Sequence, residues 1–187
     1  MAITNTLSGY KNVCRRNIGG VSIIAHIPVQ DIRYVTIKDG VITEIKCKYG
    51  KWFKEYQSVV DSAEYKVSTQ EVSITHRFNS LSKESSLAYN ELLEVAACGI
   101  ASLVKMNNGA TALLGWSEEF GNRRPLMAIE AEGTSGKAPT DPNYLDVTLK
   151  SSIVKAPLYL SDAMSIEELL RDPEGADDGA DDGAWEE

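Results

Sequence analysis

The side chains of this chain that could do chemistry are few and scattered. His26 and His76 are its two histidines, and both fall in stretches that read as strands. Ile24 and Ile27 lie beside His26, which reads as a packed or surface-capping histidine. No Cys, His or carboxylate sits at ligand spacing from either ring, so neither reads as a metal ligand or a catalytic base. Cys14, Cys47 and Cys98 form no CxxC pair and no disulfide framework, and a reduced, cytosolic setting is expected. The sequence has no GxxxxGK[ST] phosphate loop, no GxGxxG after a strand and no GxSxG nucleophile elbow. Glu118–Glu119 and Asp177–Asp178 lack the ligand alternation and glycine of a calcium loop. Arg15–Arg16 and Arg123–Arg124 are the basic pairs. No catalytic, metal or cofactor site is implied by these residues.

Charge narrows the classes further. The 187 residues carry a formal net charge of −8, and 43% are hydrophobic, enough for one cored domain. From Asp162 to Glu187 there are eleven acids against Arg171 alone, a charge of −10, which leaves residues 1–161 at +2. The body therefore lacks the concentrated positive footprint of a nucleic-acid binder. The division expected is a domain over 1–161 and an acidic tail over 162–187. In that tail Ser165 and Glu168 have capping-box spacing for a short helix, and "PEGADDGADDGAWEE" is too poor in apolar residues to repay its ordering entropy. No run is apolar enough to span a membrane, and the N-terminus has no secretory pattern.

The elements that would position these residues are mainly strands. "GVSIIAHI" (20–27), "DIRYVTIK" (31–38) and "VITEIKCK" (41–48) read as strands, the last two joined by the Asp-Gly hairpin signal at 39–40. "KWFKEYQ" (51–57) alternates aromatics with charges. "AEYKVSTQEVSITHRF" (63–78) reads as one long strand. Its polar face is Glu71, Ser73, Thr75 and Arg77, and its apolar face is Val72, Ile74, His76 and Phe78. Residues 82–106 take helical period through Ala88, Leu92, Val95, Gly99, Leu103 and Met106, with Ser80 or Ser82 as cap. Strand patterns return at 109–116, 125–132, 143–150 and 153–160. "KMNNGATALLGWSEEFGNRRP" (105–125), which looks at first like a ligand loop, reads as a helix-to-strand corner followed by a charged surface loop.

The succession of "CRRNIGGVSIIAHI", "GVITEIKC", "GKWFKEY", the long strand, "VKMNNGATALLGW", "GTSGKAPTDPNYLDVTL" and "KAPLYL" resembles the tail tube proteins of tailed bacteriophages. The likeness covers roughly residues 12–160 and rests on turn and strand patterns. It implies a β-sandwich or partial barrel with one flanking helix. A long hairpin would join a ring-wide β-barrel in rings, typically of six copies, stacked as a tube. The partners implied are other copies, further tail or neck proteins, and double-stranded DNA passing without specific binding. The place implied is the virion tail, after synthesis in the host bacterial cytoplasm. On this reading Glu71, Ser73, Thr75 and Arg77 line the channel, and Glu118, Glu119, Arg123 and Arg124 contact neighbouring subunits. A neck or tail-terminator ring protein and a β-sandwich binding module are the alternatives.

Overall fold

A computed structural model describes residues 18–117, 125–153 and 156–171. The chain is mainly β, with two helices among the described residues. Strands β1 (Val21–Pro28), β2 (Ile32–Lys38), β3 (Val41–Cys47) and β4 (Lys54–Glu55) come first, then β5 (Glu64–Val67) and β6 (Glu71–Phe78). Helix α1 (Lys83–Ala96) follows, then β7 (Ile100–Met106), β8 (Thr111–Leu114), β9 (Ala128–Thr134), β10 (Tyr144–Ser152), β11 (Leu158–Leu160) and α2 (Ile166–Leu169). They form a seven-stranded sheet, ordered β2-β3-β11-β8-β7-β1-β4, and a four-stranded sheet, ordered β5-β6-β10-β9.

The larger sheet is strongly curled. β1 and β2 are joined by only the three-residue turn Val29–Asp31, yet four strands separate them in the sheet. Such a link reaches about 14 Å at full extension, whereas five flat inter-strand steps span about 24 Å. The sheet must therefore bend β2 back towards β1. Ile27, Ile42, Ile45, Phe53, Leu103 and Leu113 fill one core on one side of this sheet. A second core lies between the two sheets, where Ile24, Val104 and Leu114 meet Val72, Ile74, Val147 and Leu149 under Leu92 and Ala96 of α1. Neither sheet is closed into a barrel.

The Asp-Gly hairpin forms as its sequence requires. Asp39 (φ 52°) and Gly40 (φ 80°) supply the two positive φ values of a tight turn between β2 and β3. The expected helix over 82–106 stops at Ala96. Ser82 caps its start reciprocally with Ser85. Gly99 then takes φ +96°, and a Cβ there would lie 2.5 Å from the Pro125 ring, so only glycine lets the chain turn out of the helix. Ile100–Val104 is buried along its whole length as a central strand. A short apolar run of that kind does not distinguish strand from helix by period. Met106–Gly109 is consequently a turn between β7 and β8, not a helix-to-strand corner; the Met106 carbonyl accepts from the Gly109 amide.

The long strand over 63–78 is in fact a hairpin. β5 and β6 pair from Glu64↔Thr75 to Val67↔Val72. Ser68 makes the turn: its hydroxyl accepts from the amides of Gln70 and Glu71 and donates to the Glu71 carbonyl. The acidic segment after residue 161 begins against the body. Ile166 is buried beside Phe53 and Leu103, Phe53 donates its amide to the Leu169 carbonyl, and Lys105 bonds Glu167 at 2.7 Å. Ser165 caps α2 through the Glu167 amide rather than through Glu168, and its hydroxyl also bonds the Glu167 carboxylate. Bonds from Lys105 and then Ser165 hold that carboxyl down at about 2.

Candidate functional site

Two arrangements stand out, one on the outer face of the smaller sheet and one between the sheets. Strand alternation decides which side chains each receives. In β6 the residues Val72, Ile74 and His76 turn into the inter-sheet core, so Glu71, Ser73, Thr75 and Arg77 turn outward together. The register then places rows of polar groups side by side. Glu64, Thr75, Thr148 and Glu130 form one row; Arg77, Asp146 and Glu132 form the next; Lys66, Ser73 and Lys150 form a third.

This face carries five acids (Glu64, Glu71, Glu130, Glu132, Asp146) against three bases (Lys66, Arg77, Lys150), and each base is engaged by an acid. Arg77 grips Asp146 through two bonds of 2.7 Å, from Nε and from Nη2. Lys150 bonds Glu130 and Lys66 bonds Glu64, each at 2.7 Å. Thr75 and Thr148 share a hydroxyl contact of 3.0 Å. The result is a wet, weakly acidic surface whose cations are already neutralised. The subunit-contact candidates Glu118, Glu119, Arg123 and Arg124 lie outside the described residues.

Between the sheets, four side chains form a continuous polar thread. Ser102 Oγ lies 2.6 Å from His26 Nδ1; His26 Nε2 lies 2.7 Å from His76 Nε2; His76 Nδ1 lies 3.2 Å from Ser58 Oγ. His26 belongs to β1 of the large sheet and His76 to β6 of the small one, so the central bond spans the layer between them. Both rings are buried, as is Ser102, while Ser58 is half-buried. The His26 and Tyr56 ring centroids are 5.1 Å apart, and Phe78 stacks on His76.

Burial holds both imidazoles neutral. It lowers the His26 pKa well below its ordinary value, with His76 adding repulsion, and lowers that of His76 to about 4. A serine, a histidine and an orienting group in sequence resemble the parts of a nucleophile and its base. Here burial has weakened the base's hold on a proton, and Ser58 does not line a cleft of about 460 Å³ bounded by Gly20, Val21, Met106 and Asp61–Tyr65. The geometry serves cohesion between layers better than proton abstraction. Among the described residues no three His, Cys, Asp or Glu side chains gather as a metal site.

Comparison with protein-family models, curated proteins and solved structures gives no match in any of the three.

The histidine pairing escaped a reading by sequence spacing because its partners lie 50 residues apart on different sheets. One signal was present. His76 falls on the apolar face of its strand, and a buried imidazole needs hydrogen-bond partners. With one other histidine in the chain, set between Ile24 and Ile27, each ring was a candidate partner for the other.

Proposed function

We propose that this chain is a structural subunit that assembles with copies of itself into a ring or tube, as the tail tube proteins of tailed phages do, with double-stranded DNA passing through the lumen. The observation that carries this reading is the smaller sheet. Its outermost strands, β5 and β9, each pair on one side only among the described residues, and its exposed face is polar with its cations neutralised. Unpaired strand edges invite association, and closure of a sheet on itself removes them.

The strand directions suit such closure. Three successive antiparallel pairings run from β5 to β9, so these two strands are antiparallel to each other. β9 of one copy can continue into β5 of the next with the same alternation. Six copies would give about 24 strands. At about 4.8 Å between strands and a tilt near 40°, that barrel is about 50 Å across at the backbone. The outer face, with Glu71, Ser73, Thr75 and Arg77, would then line the channel. Because affinity for DNA comes largely from cations that displace its counterions, a lining whose lysines and arginine are held by carboxylates lets DNA slide. Virion location and contact with other tail or neck proteins belong to this same proposal.

Electron microscopy and solution sizing of the purified chain test it. Rings or hollow tubes are the expected result. A strict monomer at high protein concentration would sink the assembly reading.

A further inference from the structure

We propose that the His26–His76 contact is an acid-sensitive latch between the two sheets, holding them together while both rings are neutral and releasing them when the pair takes up protons. The latch does not depend on assembly, and the proton count of the two rings sets how it works. Two neutral imidazoles carry two N–H groups among four ring nitrogens, and the contact between the Nε2 atoms uses one. If His26 donates across it, His76 Nδ1 donates to Ser58 and His26 Nδ1 accepts from Ser102. If His76 donates, every bond in the thread reverses. Both neutral arrangements satisfy all four side chains, so the thread is complete with no added proton.

One further proton keeps every N–H paired, because both serine oxygens can accept, but it leaves a full positive charge between the sheets. The surroundings offer little to balance it. Ser102 faces from β7, Phe78 from β6, and Tyr56 and Ser58 from the segment after β4. Val147 of β10 is the register neighbour of His76. Lys54, opposite His26 in register on β4, is exposed and lies over Trp52. Glu91 of α1 couples to the Tyr56 hydroxyl, and among the described residues no carboxylate bonds either ring. A second proton would set two N–H groups head to head across 2.7 Å, which the closed arrangement cannot hold. The first proton therefore weakens the contact by its unbalanced charge, and the second requires the sheets to part.

Both rings bind protons more weakly folded than unfolded, where the ordinary value is 6.5. Stability is full above that value and falls as pH drops from about 6.5 towards 4. Each ring can lower the folding equilibrium constant by up to about tenfold per pH unit in that window.

The test is urea unfolding of the intact chain at pH 7.5 and pH 5, beside the double variant His26→Gln/His76→Gln, which keeps amide donors and acceptors for both serines. Carboxylates contribute equally to the two proteins. The wild-type folding constant is expected to fall at least tenfold further than that of the variant. Parallel losses would overturn the proposal. Should the variant fail to fold, ring-nitrogen NMR of the wild-type chain decides. Both rings should stay neutral down to about pH 5 and change only together with the signals of the inter-sheet core. Either ring titrating alone near pH 6.5, in an otherwise unchanged spectrum, would overturn the latch.

Discussion

Gly115 follows β8 with φ +77°, and a Cβ at that position would lie 2.3 Å from the Ile100 carbonyl oxygen and 3.1 Å from the Leu126 amide nitrogen. The Leu126 amide donates to that Ile100 carbonyl and the Ile100 amide donates to the Leu126 carbonyl, so the chain after β8 passes directly over the bridge between Ile100 and Leu126. Gly40 also has positive φ, +80°, but its added Cβ would meet nothing within 4 Å. The pair separates backbone strain from collision. Gly40→Ala is expected to cost about 1 kcal/mol, the penalty of left-handed backbone alone. Gly115→Ala is expected to cost about 3 kcal/mol or more, because atoms of a buried ladder must also shift. Urea denaturation of both variants checks this; equal losses would mean that the strand crossing can relax. At this scale the sequence was legible where one residue determines its own turn, as at Asp39–Gly40. It was opaque where a side chain's partner is remote, as with His26 and His76, because no local spacing encodes a contact across two sheets.

The elements show the same division between local and remote causes. The strands flanking Asp39–Gly40 and the alternating strand β10 were readable, because turn chemistry and period 2 act within a few residues. The helical period runs on past Ala96 because Leu103 and Met106 continue it by coincidence. What ends it is Gly99 packed against Pro125, a contact 26 positions away in sequence. The polar face of β6 was legible in full, whereas the Ser68 turn that divides the hairpin was not, since its serine and glutamine neighbours also suit an exposed strand. Helix α2 gives a test of how firmly an element from the acidic segment is held. Ile166 is 2% exposed among Phe53, Leu103 and Leu113, while Leu93 on α1 is 43% exposed. Ile166→Ala should lower unfolding free energy by about 2–3 kcal/mol, as for other buried isoleucines. Leu93→Ala should lower it by well under 1 kcal/mol. Similar small effects in both would show that α2 contributes little to cohesion.

For the molecule as a whole, the two sheets have different tasks. The curled sheet wraps its own core, and the inter-sheet layer fixes the smaller sheet against it, so the smaller sheet can present an entire face and two edges to its surroundings. In the proposed tube that face meets DNA, and its neutralised cations keep passage easy. Thr75 and Thr148 lie at its centre, between Glu64 and Glu130 in register, and both are only half-buried. Thr75→Lys/Thr148→Lys replaces one hydroxyl contact with two cations on a wet surface, so folding and assembly should survive. Those carboxylates already hold Lys66 and Lys150, leaving the new ammonium groups available to phosphate. Assembled variant tubes should therefore retain duplex DNA, and raising salt should release it, with log affinity falling by about 0.9 per phosphate neutralised for each unit of log salt. Wild-type tubes should retain little under the same low-salt conditions, and delivery of DNA through variant tubes should be impaired. Retention equal to wild type in well-formed variant tubes would show that this face does not line the channel, even if the chain assembles.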